Sequence, residues 1–358
     1  MHNVLVTGGA GFIGSNLVRH LLAERSAIRV VTYDLLTYAG SLENLRDLPA
    51  PARHAFVRGD VCDRAALDRV FAEHQIDTVF HLAAESHVDR SIAAPGEFVR
   101  TNVTGTFTLL EAARAAWRDR DEVRFHHVST DEVYGSLSPD DAPAAEDARY
   151  APRSPYAASK AASDHLVRAY IETYGLRATI SQCSNNYGPY QFPEKLIPLA
   201  LVFGALGKPI PVYGDGLQIR DWLHVEDHCS ALLAIAERGR PGETYHIAGG
   251  NQPTNLHIVT TLCKLLDERY PGSQHCPHAK LMTHVADRPG HDRRYALMTA
   301  KIERELGWRP AHDLHDGLRA TIGWYAANGA WLATIRNTPD FQRWLDLNYD
   351  RRAGGLNR

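Results

Sequence analysis

A chain of 358 residues, 44% of them hydrophobic, can bury a large core, and its length lies above one average domain and below three, so two lobes are expected. Its 39 basic and 42 acidic residues nearly cancel to a net charge of −3, which excludes a basic field for nucleic acid or an anionic membrane. Anionic ligands must then be held locally, by arginines and helix ends. No apolar stretch approaches a membrane span and Met1 leads straight into a strand pattern without a signal peptide, so a cytoplasmic protein is expected.

The first apolar run, Asn3 to Val6, leads into Thr7-Gly8-Gly9-Ala10-Gly11-Phe12-Ile13-Gly14 and then a helix-period pattern through Leu17, Val18, Leu21 and Leu22. Strand, glycine turn and helix in that order form a dinucleotide fingerprint in its proper context. Gly8 permits the turn, Gly11 lets a pyrophosphate approach the backbone, and Gly14 lets helix and strand pack closely. The pyrophosphate then lies on a helix N-terminus, where free N–H groups and the dipole favour negative charge.

A second run, Ile28 to Val31, ends at Asp34, twenty residues beyond Gly14, where an acid accepts hydrogen bonds from a ribose and repels a 2′-phosphate. NAD is therefore expected over NADP. His54 to Val57 reads as a third strand ending at Gly59-Asp60, with Asp60 and Val61 against the adenine. Thr78 to Leu82 reads as a fourth, followed by Ala83 and Ala84, small enough for a cofactor to approach.

Helix patterns follow at Phe98 to Trp117 and Ser154 to Tyr174, apolar enough to cover a sheet and to pair with a second subunit. Between them, the run Val123 to Val128 ends at Ser129-Thr130-Asp131-Glu132-Val133-Tyr134. Taken alone, Asp131-Glu132 also reads as a solvated helix N-terminus capped by Thr130 or Asp131. Ser138 to Pro155 reads as a mobile polar loop. Arg177 to Cys183 is another strand, after which prolines 189, 193, 198, 209 and 211 break the alternation as the chain leaves for a second lobe. Asp221 to Arg238 and Glu243 to Ile247 return a helix and a strand to the first.

The expected fold is thus α/β: a Rossmann-type doubly wound parallel sheet with a smaller mixed α/β C-terminal substrate lobe. Residues 1–185 and 221–247 form the NAD-binding part, residues 186–220 and 248–350 the substrate lobe, and residues 351–358 a loose tail. The five cysteines lack paired spacing and suit reduced thiols. His275-Cys276-Pro277-His278 lacks a second ligand cluster, so no metal is expected.

Tyr156 and Lys160 lie four apart, on one helix face. A phenol with an ordinary pKa near 10 is a poor base at neutral pH, but a neighbouring ammonium and an oxidised nicotinamide both stabilise its phenolate. With the glycine fingerprint, this pair makes the sequence resemble the extended short-chain dehydrogenase/reductase superfamily. His81-Leu-Ala-Ala-Glu-Ser-His-Val-Asp-Arg90, Ser129-Thr-Asp-Glu-Val-Tyr-Gly135, Ser184-Asn-Asn-Tyr-Gly-Pro189, Pro193-Glu-Lys-Leu-Ile-Pro198, Arg220-Asp-Trp-Leu-His-Val-Glu-Asp227 and Asp287-Arg-Pro-Gly-His-Asp-Arg-Arg-Tyr295 are similar to the dTDP-glucose 4,6-dehydratase family, over nearly the whole chain. Leu35 departs from it: many members carry Lys after the ribose-binding acid.

The resemblance implies a division of labour. Tyr156 takes the proton of the sugar 4-hydroxyl, with Thr130 on the 4-oxygen and Lys160 on the nicotinamide ribose, as hydride leaves C4 for NAD. Glu132 then removes the C5 proton while protonated Asp131 gives one to the departing 6-hydroxyl. Hydride returns to C6 and Glu132 reprotonates C5. It also implies cofactor contacts from Phe12, Ile13, Leu35, Thr37, Leu82, Ser86, Thr101 and Asn186. Nucleotide-sugar contacts fall to Ser86, Asn185, Glu194, Lys195, Leu196, Pro211, Tyr213, Arg220, Asn255, Arg288 and His291, with the arginines clamping the diphosphate through their planar forks. A homodimer is a further implication. Two other readings compete: a nucleotide-sugar 4-epimerase, which needs no acid and base at C5 and C6, and a non-catalytic NAD-binding scaffold. A dehydratase of UDP sugars is a near neighbour.

Overall fold

The computed structural model describes residues 1–118 and 120–345, so the tail expected at residues 351–358 lies outside the described residues. β1 (Asn3–Thr7) leads through the glycine turn into α1 (Phe12–Glu24); β2 (Arg29–Asp34) and β3 (His54–Arg58) follow, then α2 (Arg64–His74) and β4 (Thr78–His81). Short α3 (Val88–Ala93) and α4 (Pro95–Phe98) precede a π-helical turn, Val99–Thr104, and α5 (Gly105–Ala116). β5 (Arg124–Thr130), α6 (Pro155–Tyr174) and β6 (Ala178–Cys183) complete the first excursion. The irregular region holds β7 (Asn185–Tyr187), α7 (Leu196–Leu206), β8 (Ile210–Tyr213) and β9 (Trp222–His224). The chain then returns with α8 (Val225–Arg238) and β10 (Thr244–Ile247), and continues through α9 (Asn255–Arg269) and β11 (Met282–Val285).

Seven strands form one parallel sheet in the order β10-β6-β5-β4-β1-β2-β3. The chain winds one way from β1 and the other way from β4, so the crevice for a ligand opens at the carboxyl ends of that neighbouring pair. β4 is buried throughout and β1 nearly so, which is why they read as unbroken apolar runs. On one face α1 and α8 close over Leu17, Leu21, Leu232 and Ile235; on the other, α2, α5 and α6 close over Leu67, Leu109, Phe125 and Val167. A separate apolar cluster gathers Ile197, Phe203, Ile258, Leu262 and Trp331. The pairs β8–β11 and β7–β9 form two small sheets.

Two expectations change here. The helix expected from Phe98 to Trp117 widens over Val99–Thr104, and the wide turn presents Asn102, whose amide bonds Glu85 N (2.8 Å) and Ser159 Oγ (2.8 Å). The loop expected to be mobile is tethered: Arg294 Nη1 donates to the carbonyls of Ser138 (3.1 Å) and Asp141 (2.7 Å), and Ala144 N donates to Ala296 O. Among the described residues, no helix is long and apolar enough to cross a membrane.

Candidate active site

Above the carboxyl edge of the sheet lies a cavity of about 450 Å³. Gly8, Gly11, Phe12, Ile13, Gly14, Asp34, Leu35, Thr37, Asp60, Val61, Leu82, Ala83, Ala84, Ser86 and Thr101 line one part of it. Thr130, Asp131, Glu132, Tyr156 and Lys160 line it too, as do Asn185, Asn186, Glu194, Lys195, Leu196, Pro211, Tyr213, Arg220, Asn255, Arg288 and His291. The residues expected to contact cofactor or sugar, or to act on the sugar, thus line one cavity.

The glycine end fits a dinucleotide. A Cβ on Gly14 would stand 2.1 Å from Gly8 O, so no side chain fits between helix and turn, and Gly8 holds φ +68° against the Ala83 backbone. Gly11 is different: its Cβ would meet only Gly8 O, at 3.3 Å, so its open side faces outward. It is also the N-cap of α1 with no side-chain cap, which leaves the first-turn N–H groups for an anion. Asp34, which lines the cavity, is fixed by Ala10 N on Oδ2 (2.9 Å) and Leu36 N on Oδ1 (2.8 Å). Burial raises its pKa, partly offset by those two N–H groups. Asp60 is itself engaged, by Cys62 N and Arg100.

At the far end of β5, Thr130 caps a short 3₁₀ turn, Asp131–Tyr134, by accepting from Glu132 N (3.3 Å). The helix-cap reading of this stretch therefore holds for Thr130, but its solvated part is corrected: Asp131 is 4% exposed. Burial and the charge of Glu132 push the Asp131 carboxyl well above its ordinary value, which favours its protonated form. Its Oδ2 is buried without a partner. Burial raises Glu132 too, opposed by Arg288, Lys195 and Arg220, and Glu132 lies partly open to the cavity.

Ser154 caps α6 by accepting from Ala157 N (3.1 Å), with Pro155 in the first turn, and this places Tyr156 and Lys160 one turn apart under the cavity. Lys160 Nζ donates to Val128 O (2.8 Å), and burial pushes the ammonium down to about 8. Tyr156 moves the opposite way from the sequence expectation. Burial and then the charge of Glu132 push its phenol well above 10.

In the remaining part, buried polar atoms that make no hydrogen bond within the protein collect on cavity residues: Asn185 Oδ1, Glu194 Oε2, Asn255 Oδ1 and Arg288 Nε. Such a set suits a polar ligand. Arg220 differs from expectation, because its guanidinium donates to the carbonyls of Ile219 (2.7 Å) and Asp292 (2.9 Å) and stacks on Tyr295. It offers charge more than a free fork. Asn186 is likewise held, by His228 Nδ1 (2.9 Å) and Ser184 O (3.0 Å). His291, buried beside Asp287 (2.6 Å), is pushed down to about 4, chiefly by burial, and is neutral.

Sequence reading missed Arg90 and Tyr38. The Arg90 guanidinium stacks 3.6 Å from the Tyr38 ring, Tyr38 OH donates to Glu194 Oε1 (3.0 Å), and Arg90 Nε stands 3.5 Å from Glu194 Oε2. No spacing announces this cluster, whose members are brought together only by the fold. The expectation that Cys276 and His278 lack companions is also amended. Asp267 joins them, with donor atoms within 4.8 Å, and His224, Glu226 and His312 form a second such group; neither lines the cavity.

Comparison with known proteins places these features in context. The family model described as GDP-mannose 4,6 dehydratase matches residues 5–321. The chain is 55% identical to a dTDP-glucose 4,6-dehydratase of Neisseria meningitidis serogroup B, over 94% of this chain and 97% of the relative. It is 52% identical to one from Shigella flexneri, over 98% and 99%. Among solved structures, the dTDP-glucose 4,6-dehydratase DesIV of Streptomyces venezuelae, with NAD and TYD bound, is 46% identical with a TM-score of 0.84, covering 93% of this chain and 99% of that one. A UDP-glucose 4-epimerase from Thermotoga maritima, with UDP-glucose, is 29% identical with a TM-score of 0.80, covering 91% and 99%.

Proposed function

The chain belongs to the GDP-mannose 4,6 dehydratase family and, within it, to the dTDP-glucose 4,6-dehydratases, and from this we infer that it converts dTDP-glucose to dTDP-4-keto-6-deoxyglucose as a NAD-dependent hydro-lyase. The observation that carries the reading is the presence of buried Asp131 and partly open Glu132 in the cavity that also holds Tyr156, Lys160 and the glycine turn. A 4-epimerase uses the same glycine turn and Tyr-Lys pair but has no work for that carboxyl pair.

NAD, when bound, takes the hydride from C4 and gives it back at C6. Tyr156 receives the 4-hydroxyl proton and Thr130 hydrogen-bonds the 4-oxygen, which becomes a ketone and acidifies the C5–H bond. Glu132 removes the C5 proton, and Asp131 Oδ2 delivers a proton to the leaving 6-hydroxyl, so that water departs. Glu132 then returns a proton to C5. Two neighbouring carboxyls with opposite duties require separated pKa values. The cavity supplies this by sealing one and setting cations near the other.

Arg288 and Lys195, beside Asn185 Oδ1 and Asn255 Oδ1, which make no hydrogen bond within the protein, are proposed to hold the nucleotide diphosphate. Two further parts of the reading are a homodimer and a cytoplasmic location. Exposed Val99 and Phe107, on the helical rod packed against α6, support the first. Five unbridged cysteines support the second. The test of function is mass spectrometry of products from dTDP-glucose without added reductant. A product lighter by one water is expected; recovery of an isomer of unchanged mass would sink the dehydratase reading in favour of epimerisation.

A further inference from the structure

One turn beyond Lys160 on α6, Asp164 is completely buried, with hydrogen-bond donors brought to it from separate elements. Its Oδ2 accepts from Tyr150 OH (2.8 Å) and from Gln182 Nε2 (3.1 Å). Its Oδ1 lies 3.2 Å from His127 Nε2, off the line of a full hydrogen bond. These donors come from three different elements: the loop before α6, β6 and β5.

We propose that Asp164 is a positioning residue of the reaction, the buried counter-charge that keeps Lys160 an ammonium beneath Tyr156. The inference rests on the role given to Lys160 above. It goes further by naming what holds that charge in a place where water cannot.

The groups facing this pair leave the task to Asp164 alone. His127 on β5 and His81 on β4 are buried and neutral, His127 being pushed down to about 4 by burial first and then by Lys160. Cys183 on β6 is pushed up to about 12, again by burial, and stays a thiol. Arg168 reaches the Tyr150 oxygen at 2.9 Å. Burial opposes the Asp164 charge as well, but the close approach of His127 and the Lys160 charge outweigh it and hold the carboxyl below its ordinary value. The result is one ammonium and one carboxylate buried one turn apart, acting on each other through space, with Lys160 Nζ held by Val128 O and Asp164 Oδ2 by Tyr150 and Gln182. A buried pair of this kind is costly to break, because the survivor is left uncompensated.

Asp164→Asn keeps the shape and two acceptor or donor positions while deleting the charge. The lone ammonium then gives up its proton at lower pH. In product formation from dTDP-glucose, the alkaline limb of kcat is expected to move down by about one pH unit, a roughly fivefold loss near pH 8 that approaches about tenfold at higher pH, with KM little changed. The thermal stability of the variant relative to wild type should also recover as pH rises and Lys160 becomes neutral. A merely structural role would lower stability and rate equally at all pH values, and superimposable profiles would overturn the proposal. If the single variant does not fold, Lys160→Met with Asp164→Asn should restore folding by deleting both charges; failure of the double variant to fold also overturns it. Wild-type turnover in the same series tests the functional reading separately, since the stability comparison needs no activity.

Discussion

Asp131 and Glu132 are adjacent in the chain, yet one is sealed beneath the cavity with an unpartnered oxygen while the other opens onto it beside three cations. The 3₁₀ turn capped by Thr130 causes this split, because it points successive side chains about a third of a circle apart. An extended strand would have sent them to opposite faces of the sheet, and only one into the cavity.

Glu132→Gln removes the base and keeps the shape. C4 oxidation should proceed and reduced nicotinamide should accumulate in a single turnover, while water loss slows by about 10²–10⁴-fold. Stopped-flow absorbance of the reduced cofactor, paired with quenched-flow mass analysis, reads both. Full turnover would show that another group is the base.

Asp131→Asn should slow elimination but stabilise the protein without ligands. The folded-state pKa of Asp131 is raised, so its favourable contribution is present below the ordinary carboxyl value near 4 and is lost as pH climbs toward the raised value. The melting temperature of the variant should therefore gain on wild type progressively above about pH 4. A constant difference across that range would contradict the burial argument.

Gly14→Ala sets a methyl against Gly8 O, a backbone atom that can move only if the glycine turn opens. Both the melting temperature and NAD affinity should fall, affinity by roughly tenfold or more. Calorimetry with NAD checks it. Asp34→Ala should weaken NAD while narrowing its advantage over NADP, since the variant removes a repelling charge along with a ribose acceptor.

Phe107→Glu places a charge on the exposed apolar stripe that contains Val99. If a second copy covers this stripe, the variant should elute as a monomer in light-scattering chromatography where wild type elutes at twice the mass. An unchanged mass would move the interface elsewhere.

The parts of the fold legible in sequence were those made of local chemistry. β1 and β4 announced themselves as apolar runs because both faces are covered, and α1 through its glycine turn and 3.6-residue period. The strands β7, β8, β9 and β11, at three or four residues each, are too short for any period to show. The π-helical turn has no residue signature, only the position it gives Asn102. Asp164 could be seen as a helical acid, but not as a counter-charge, since Tyr150 and Gln182 reach it from distant segments. Arg220 shows the reverse case: its type suggested a diphosphate clamp, and only the fold reveals that carbonyls already occupy it.

β10 is laid beside β6 after the chain has built β7, α7, β8 and β9 elsewhere. A ribosome that has released only the first 190 residues therefore carries the glycine turn, Tyr156 and Lys160 on a sheet whose edge at β6 is still bare. The enzyme cannot ripen piecemeal during synthesis: a nascent chain acquires its ability to grip a sugar only when nearly all of it has emerged, and truncations that spare the whole nucleotide fingerprint should still accumulate as aggregation-prone fragments.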